Sequence, residues 1–472
     1  MPHGRGEKRV GEGMKKNRFN IDMRSGTLWD KILFFALPLM ASSMLQLLFN
    51  AADIVVVGRF AGKEALAAVG SNTSLINLMI NLFMGLSVGT NVVVARDLGA
   101  GRTEDVGRDV RTSITLALVS GLALMGAGVV LVRQLLIWTS SPADVIDLAT
   151  VYLRIYFCGM PGNLLYNFGA AVLRAQGDTQ RPLYYLTAAG VINVVLNLVL
   201  VIVFHMDVAG VALATIASQY ISAALVLRCL LKDEGPLYLD LKHLGIEWDV
   251  VKRILQVGLP AGFQGILFSL SNVVIQSALN SFDSAALVAA SSASANLEGF
   301  VYASMNAFHQ AAITFVGQNY GARLCDRVDR VMKWNLGYVV ITGLLTGNLV
   351  YFFGVPLAGI YAPGEPEVVA LAVTRMAFVC VPYFIYGIMD VLVGVLRGLG
   401  YSLVPMVVSL VGVCGLRLAW VAAVFPVFHS PESLYISYPF TWVITTSILA
   451  VMVLVVRRRA YRKVGWYIPR SR

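Results

Sequence analysis

Charge is what this sequence has least of. Only 14% of its 472 residues are Asp, Glu, Lys or Arg, where a soluble domain carries roughly a quarter. So few charges cannot cover a water-soluble globule of this size, which excludes a soluble enzyme. Disorder is excluded as well, because 57% of the chain is apolar and its mean hydropathy is +0.71. Cysteine is equally sparse. Cys158, Cys229, Cys325, Cys380 and Cys414 form no Cys-x-x-Cys pair, and no two His stand at metal-ligand spacing. The cysteines therefore read as packing residues or reduced thiols. No Gly-x-x-x-x-Gly-Lys-[Ser/Thr] loop occurs, so ATP does not drive the protein directly.

What the chain has is long apolar runs. Twelve can be marked, at about 32–58, 66–95, 112–133, 145–170, 182–204, 208–231, 252–281, 287–317, 334–356, 368–394, 403–425 and 437–456. About 20 apolar residues cross the hydrocarbon core as a helix, and only helices or closed barrels satisfy the backbone there. Alternating ten-residue strands are absent. The expected fold is therefore an all-α membrane protein with twelve transmembrane helices. Runs five and six are joined only by His205, Met206 and Asp207, which makes them antiparallel neighbours.

The net charge of +10 is topological rather than a nucleic-acid signal. Segments on the side of the N-terminus carry 31 Lys and Arg, and the opposite loops carry 2, Arg59 and Lys63. Arg133, Arg154, Arg375 and Arg417 lie in or at the ends of spans. The positive-inside rule then puts both termini in the cytoplasm of a multi-pass protein of the inner (cytoplasmic) membrane. No small-residue cleavage site follows the first run, so that run is read as an anchor rather than a removed signal. Met14, in GEGMKKNRFN, is a second candidate start, with residues 1–13 as an extension.

The two halves repeat with an offset near 222. Ala36-Leu37-Pro38 matches Gly258-Leu259-Pro260, and Leu98-Gly99-Ala100 matches Tyr320-Gly321-Ala322. Arg154 and Pro161 match Arg375 and Pro382; Leu173-Arg174 and Gly177 with Pro182 match Leu396-Arg397 and Gly400 with Pro405. An even number of spans per half gives parallel repeats, a transporter architecture with its site near the midplane. The domains are a cytoplasmic tail (1–31), an N-lobe (32–231), a cytoplasmic linker (232–251), a C-lobe (252–456) and a basic tail (457–472).

Asp53 is the outstanding intramembrane residue. A charged Asp at a helix centre costs roughly 2.5–3.5 kcal/mol on insertion scales. It needs a partner or a proton, and its own span offers no Lys or Arg apart from Arg59 just beyond it. The alternative is an Asp near the outer interface, solvated or paired with Arg59. Gln46, Asn50 and Asp53 follow i, i+4, i+7 and share a helix face. Asn193 with Asn197, Asn163 with Asn167, and Asn77 with Asn81 are i, i+4 pairs; Thr215 sits on the sixth span. Single amides also serve as interhelical glue. The second half offers Asn272, Gln276 and Asn280, then Glu298 with His309 on one helix face, and Asp390. Glu298 and His309 are expected to satisfy each other or to pair with Arg417. Aromatic and Met residues are numerous enough for some to line a cavity for a bulky organic cation.

These residues resemble the multidrug and toxic compound extrusion (MATE) family, in its bacterial branch with DinF-like and MepA-like members. The resemblance covers about residues 28–460. It rests on Ala36-Leu37-Pro38, the Asp53 stretch through Gly58 and Gly62, Leu173-Arg174-Ala175-Gln176-Gly177-Asp178-Thr179 with Pro182, and Thr314-Phe315-Val316-Gly317-Gln318-Asn319-Tyr320-Gly321-Ala322. It implies a V-shaped pair of pseudo-symmetric six-helix bundles, the MVF superfold. It also implies export of cationic or lipophilic drugs and dyes in exchange for protons or sodium, with no cofactor.

The family's cation site falls on Asp53, Asn193, Asn197 and Thr215, which would also be the metal ligands under sodium coupling. The family carries Asp where Asn197 stands, so one of two carboxylates is missing, which favours protons. Gln46, Asn50, Asn163, Asn167, Gln276, Glu298 and Asp390 are the candidate substrate contacts. The seventh helix offers Gln264, Asn272, Gln276 and Asn280 but no carboxylate. The expected partners are small cationic compounds and membrane lipids, with no nucleic acid, and the protein is expected to act as a monomer. A lipid-linked oligosaccharide precursor flippase of the same superfold is the runner-up; it would want more intramembrane cations than Arg154, Arg375 and Arg417. A membrane-embedded enzyme would want clustered His, Ser or Asp.

Overall fold

In lipid the backbone must satisfy its own hydrogen bonds, and long apolar runs leave it the helix. The computed structural model describes residues 19–61, 63–138 and 145–466; the side chains of Gly58 and of residues 61–79, Lys63 and Asn77 among them, lie outside that description, as does Gly62. No strand occurs among the described residues. The first half comprises α1 (Trp29–Val56), α2 (Lys63–Gly99), α3 (Thr103–Trp138), α4 (Ile146–Cys158), α5 (Met160–Ala175), α6 (Gln180–Leu198) and α7 (Asp207–Leu231). The second comprises α8 (Trp248–Asn280), α9 (Ala285–Gly321), α10 (Cys325–Phe352), α11 (Gly354–Tyr361), α12 (Pro366–Val379), α13 (Tyr383–Gly398), α14 (Leu403–Ser409), α15 (Leu416–Ala423) and α16 (Pro431–Lys463).

All twelve apolar runs are helical. Eight helices are long and apolar enough by themselves to cross a membrane, and the bent pair α12–α13 makes a ninth among the described residues. The other three runs fall on α2, on α9 and on the pair α4–α5. Several helices outrun their apolar segments. At 37 residues, α2 and α9 are about 55 Å long, against a hydrocarbon core of about 30 Å. Apolar runs mark the part inside the core, while the ladder of backbone bonds continues into the interface.

Proline explains two breaks. Pro161 stands at the start of α5 and Pro382 just before α13. Lacking an N–H, each starts a helix more readily than it continues one. The runs 145–170 and 368–394 are therefore each split in two, the second with a bend of 47°. Pro38 and Pro260 instead lie inside α1 and α8, where each leaves a carbonyl one turn back without its ladder donor. Five- or six-residue π turns interrupt the helical ladder at Val57–Ala61, Val199–Val203 and Leu410–Gly415.

The two bundles meet along α2 and α8. Gly85 and Gly89 of α2 face Gly258 and Gly262 of α8. Both are Gly-x-x-x-Gly pairs, the spacing that lets two helix backbones touch in a membrane. Closer to the face that carries the termini, Gly99 abuts the Gln318 backbone and Gly321 abuts the Arg96 backbone, so two repeat-related glycines close the seam symmetrically. Polar ties run along the same seam. Thr314 donates to Asn91 Oδ1 at 3.1 Å, and Gln318 Nε2 donates to the Ala175 carbonyl at 2.6 Å. Asn81 donates to Ser269 Oγ at 3.4 Å near the middle of the two helices. The segment before α1 crosses the seam: Ile21 packs on Gly177, which has φ +97°, while Arg327 donates to the carbonyls of Met23, Ser25 and Gly26. Among the described residues the polar ties between the bundles lie from mid-height to the terminal face, which is therefore the closed one.

Arg253 of α8 is the strongest of these ties. It reaches Asp97 at 2.5 Å and Asp109 at 2.8 Å, both carboxylates being almost wholly buried in the other bundle. A neighbouring surface pair, Arg108 with Glu247, holds the Glu247 carboxyl below its usual range but is exposed and adds little. Arg253→Gln strands the buried Asp109 carboxylate, while Asp97 keeps Arg102 at 2.5 Å, and is expected to weaken the closed terminal face by about 2 kcal/mol, roughly a 30-fold shift in favour of the open arrangement. Spin labels at exposed Glu104 and Asp249 would report this as a longer, broader distance. An unchanged distance distribution would show that the seam does not depend on the bridge.

Candidate functional site

Helices α1, α6 and α7 converge on Asp53. The Asn197 amide of α6 donates to Asp53 Oδ1. One turn earlier, Asn193 donates to the same oxygen at 2.9 Å and accepts from the Thr215 backbone N–H of α7 at 3.3 Å, the amide orientation that satisfies both its ends. Asn193 and Asn197 are buried. The Thr215 hydroxyl is committed elsewhere, donating to the Val211 carbonyl at 3.0 Å, so Thr215 serves the site through its backbone. Tyr152 and Tyr156 of α4, stacked with centroids 6.0 Å apart, lie within electrostatic reach of the carboxylate. Among the described residues no Lys or Arg pairs with Asp53, and the exposed Arg59 forms no ion pair with any of them. The carboxylate thus sits among amide donors with no compensating cation. A π turn follows the site on two of the three contributing helices, Val57–Ala61 after Asp53 on α1 and Val199–Val203 after Asn197 on α6, an irregularity common at functional positions.

Other candidates stand apart from this cluster. Gln46 and Asn50 are exposed on α1. Asn167 donates to Asn163 Oδ1 at 3.0 Å and to its carbonyl at 2.9 Å, so this pair satisfies itself. Gln276 donates to Asn280 at 3.1 Å on an exposed face of α8.

The C-lobe acids correct one expectation. Glu298 pairs neither with His309 nor with Arg417; it takes Arg375 at 2.9 Å, and Arg375 also donates to Ser294 Oγ at 2.9 Å. Glu298 and His309 lie on one helix but too far along it to meet, whereas α12 brings a guanidinium alongside. His309 instead faces Asp390, with Nδ1 2.6 Å from its backbone carbonyl and 3.2 Å from Oδ1. Arg397 completes this group, donating to Gln264 Oε1 at 2.8 Å and lying 3.4 Å from His309 Nε2. Tyr302, Tyr383, Tyr386, Tyr438 and Trp442 pack ring to ring beside these polar groups. Breaking a buried pair on one side strands the other charge, at a cost of about 3–5 kcal/mol. Glu298→Gln is therefore expected to lower the unfolding temperature in detergent, and Glu298→Gln with Arg375→Met to recover most of the loss. A single variant as stable as the parent would show that the pair holds nothing together.

Among the described residues no group of three or more His, Cys, Asp or Glu is placed to hold a metal ion. A family model described as MatE matches the chain twice, at residues 38–199 and 260–421, two segments displaced by the same offset as the internal repeat. The chain belongs to the MatE family. It is thus a multi-pass membrane transporter and not an enzyme. It is 27% identical over 422 residues to a probable multidrug resistance protein, YoeA, of Bacillus subtilis (strain 168), covering 88% of this chain and 90% of that one. It is 24% identical over 398 residues to a probable multidrug resistance protein, NorM, of Thermotoga maritima, with 82% and 84% covered. In fold it is similar to an outward-facing multidrug resistance MATE transporter of the MOP superfamily, with a TM-score of 0.87 at 19% identity over 93% of this chain and 97% of that one.

Some residues of this MatE site were invisible in sequence. Arg397 is legible only as a repeat marker and Arg375 only as a repeat marker and intramembrane cation, because their partners lie 133 and 77 positions away. Tyr152 and Tyr156 were two aromatics among many. The Gly-x-x-x-Gly pairs at Gly85 and Gly258 did carry a readable signal.

Proposed function

We propose that this MATE transporter exports cationic, lipophilic compounds across the cytoplasmic membrane in exchange for protons, with both termini in the cytoplasm. The observation that carries the reading is the Asp53 carboxylate, held by amide donors with no cation paired to it. Deprotonated, it attracts a cationic compound; protonated, it no longer does. Because one carboxylate cannot serve both, uptake of a proton from outside expels the compound, which is coupling by competition. Relaxed hydrogen bonding at Pro38 gives α1 a place to bend as the carboxyl changes charge.

The charge asymmetry of 31 against 2 supports placing the closed terminal face toward the cytoplasm, and the arrangement described is then outward-facing. Sodium is the less apt coupling ion. It takes oxygen ligands, whereas Asn193 and Asn197 turn their nitrogens to Asp53. Reconstituted protein in sodium-free proteoliposomes tests the reading. Ethidium efflux is expected under an imposed pH gradient and not under a sodium gradient alone. Efflux that follows sodium and ignores pH would overturn it.

A further inference from the structure

Buried charge in the C-lobe does not balance. Arg375, Arg397 and Arg417 are 5%, 7% and 4% exposed. Glu298 takes Arg375 and Asp390 faces His309 beside Arg397. Arg417 has neither a carboxylate nor any hydrogen-bond acceptor among the described residues. It lies over the ring of Tyr438, whose centroid is 4.1 Å from Cζ, and within electrostatic reach of the Cys414 sulfur. Arg375 bears on the same ring from 5.8 Å. Arg417 Nε is shielded from solvent and unpartnered. A guanidinium has five N–H donors and stays charged, and an uncompensated buried charge is among the most destabilising features a fold can carry. A ring face attracts the cation but accepts none of these N–H groups in the ordinary sense.

The position of Arg417 sharpens the point. It lies on α15, immediately after the π turn Leu410–Gly415. The Cys414 thiol of that turn donates to the Leu267 carbonyl of α8 at 3.4 Å. Ser271, one turn further along α8, is within hydrogen-bonding reach of the Cys414 sulfur, and Tyr435, one turn before Tyr438 on α16, carries a buried hydroxyl without a hydrogen-bond partner. Helices α8, α14–α15 and α16 are the repeat counterparts of α1, α6 and α7, the three that build the Asp53 site. The same place in the two bundles therefore holds opposite polarity, a carboxylate met by donors in one and a guanidinium that meets no acceptor among the described residues in the other.

We propose that Arg417 anchors an anion site in the C-lobe that takes a compact monoanion, either a free halide or the carboxylate of an amphoteric transported compound. The site stands independently of the role given to Asp53, since it needs only the unmatched guanidinium.

Thermal unfolding of the purified full chain in detergent tests it, with gluconate as the sole anion against bromide and against benzoate. Saturating bromide or benzoate is expected to raise the unfolding temperature by about 2–4 °C. Arg417→Gln is expected to lose that response and, having no stranded charge, to unfold in gluconate no lower than wild type. Arg417→Lys, which keeps the charge, is expected to retain the response. A bromide anomalous peak beside the guanidinium in crystals identifies the free halide as the ligand; a response to benzoate alone identifies the substrate carboxylate. Wild-type protein that unfolds at one temperature in all three anions overturns the site, as does a response that survives in Arg417→Gln.

Discussion

Asp53→Asn is expected to abolish proton-coupled efflux while leaving the bundle intact. The two side chains have nearly the same shape, and Asn193 and Asn197 can turn their amides to suit either. What is lost is the charge. A hydrogen bond to a charged group contributes roughly 1.5–3 kcal/mol, and each 1.4 kcal/mol is tenfold in an equilibrium constant. Attraction for a cationic compound should therefore fall by about 100-fold, and the exchangeable proton disappears altogether. In proteoliposomes with an imposed pH gradient, ethidium efflux by the variant should be indistinguishable from leak, with the unfolding temperature unchanged. Efflux at the parental rate would remove Asp53 from the mechanism.

The second large effect is expected at the seam. A Cβ at Gly258 would stand 2.7 Å from Leu86 Cα, and one at Gly262 2.6 Å from the Leu82 carbonyl oxygen. Both neighbours are backbone and cannot step aside. Ordinary helix pairs keep their axes 8–10 Å apart; this pair comes together because it presents glycine on both sides. Gly258→Leu should hold the bundles apart at the terminal face, so that the cycle cannot return to the arrangement described here. Transport should drop more than tenfold, and labels at Glu104 and Asp249 should report a wider separation. Gly258→Ala, a smaller wedge, should give intermediate values of both. Wild-type distances and transport in both variants would mean that the close contact is dispensable.

Much of this architecture is readable from the chain. Hydrocarbon thickness and the demand for backbone hydrogen bonds leave an apolar run of this length little choice, so each of the twelve runs became helix. The repeat was visible because Pro38 with Pro260 and Arg174 with Arg397 recur at a steady offset. Gathering Asp53, Asn193, Asn197 and Thr215 was another matter. Asp53 and Asn197 are 144 positions apart, and no periodicity links them; a family resemblance brought them together, and the geometry adds that Thr215 meets Asn193 through its N–H. The pairing of Glu298 was misread for the same reason. Helix-face arithmetic sees neighbours on one helix, such as His309, and is blind to Arg375 arriving on another. The unmatched charge of Arg417 is likewise a property of three packed helices, not of any stretch of sequence.

Infrared difference spectroscopy of the reconstituted protein bears most directly on the proposed exchange at Asp53. Acidifying the sample should bring up a protonated carboxyl band that is absent in Asp53→Asn, and adding a cationic dye at the same acidity should bleach it. A spectrum in which the Asp53 contribution stays ionised across the whole range where the dye is transported would contradict proton competition at this residue.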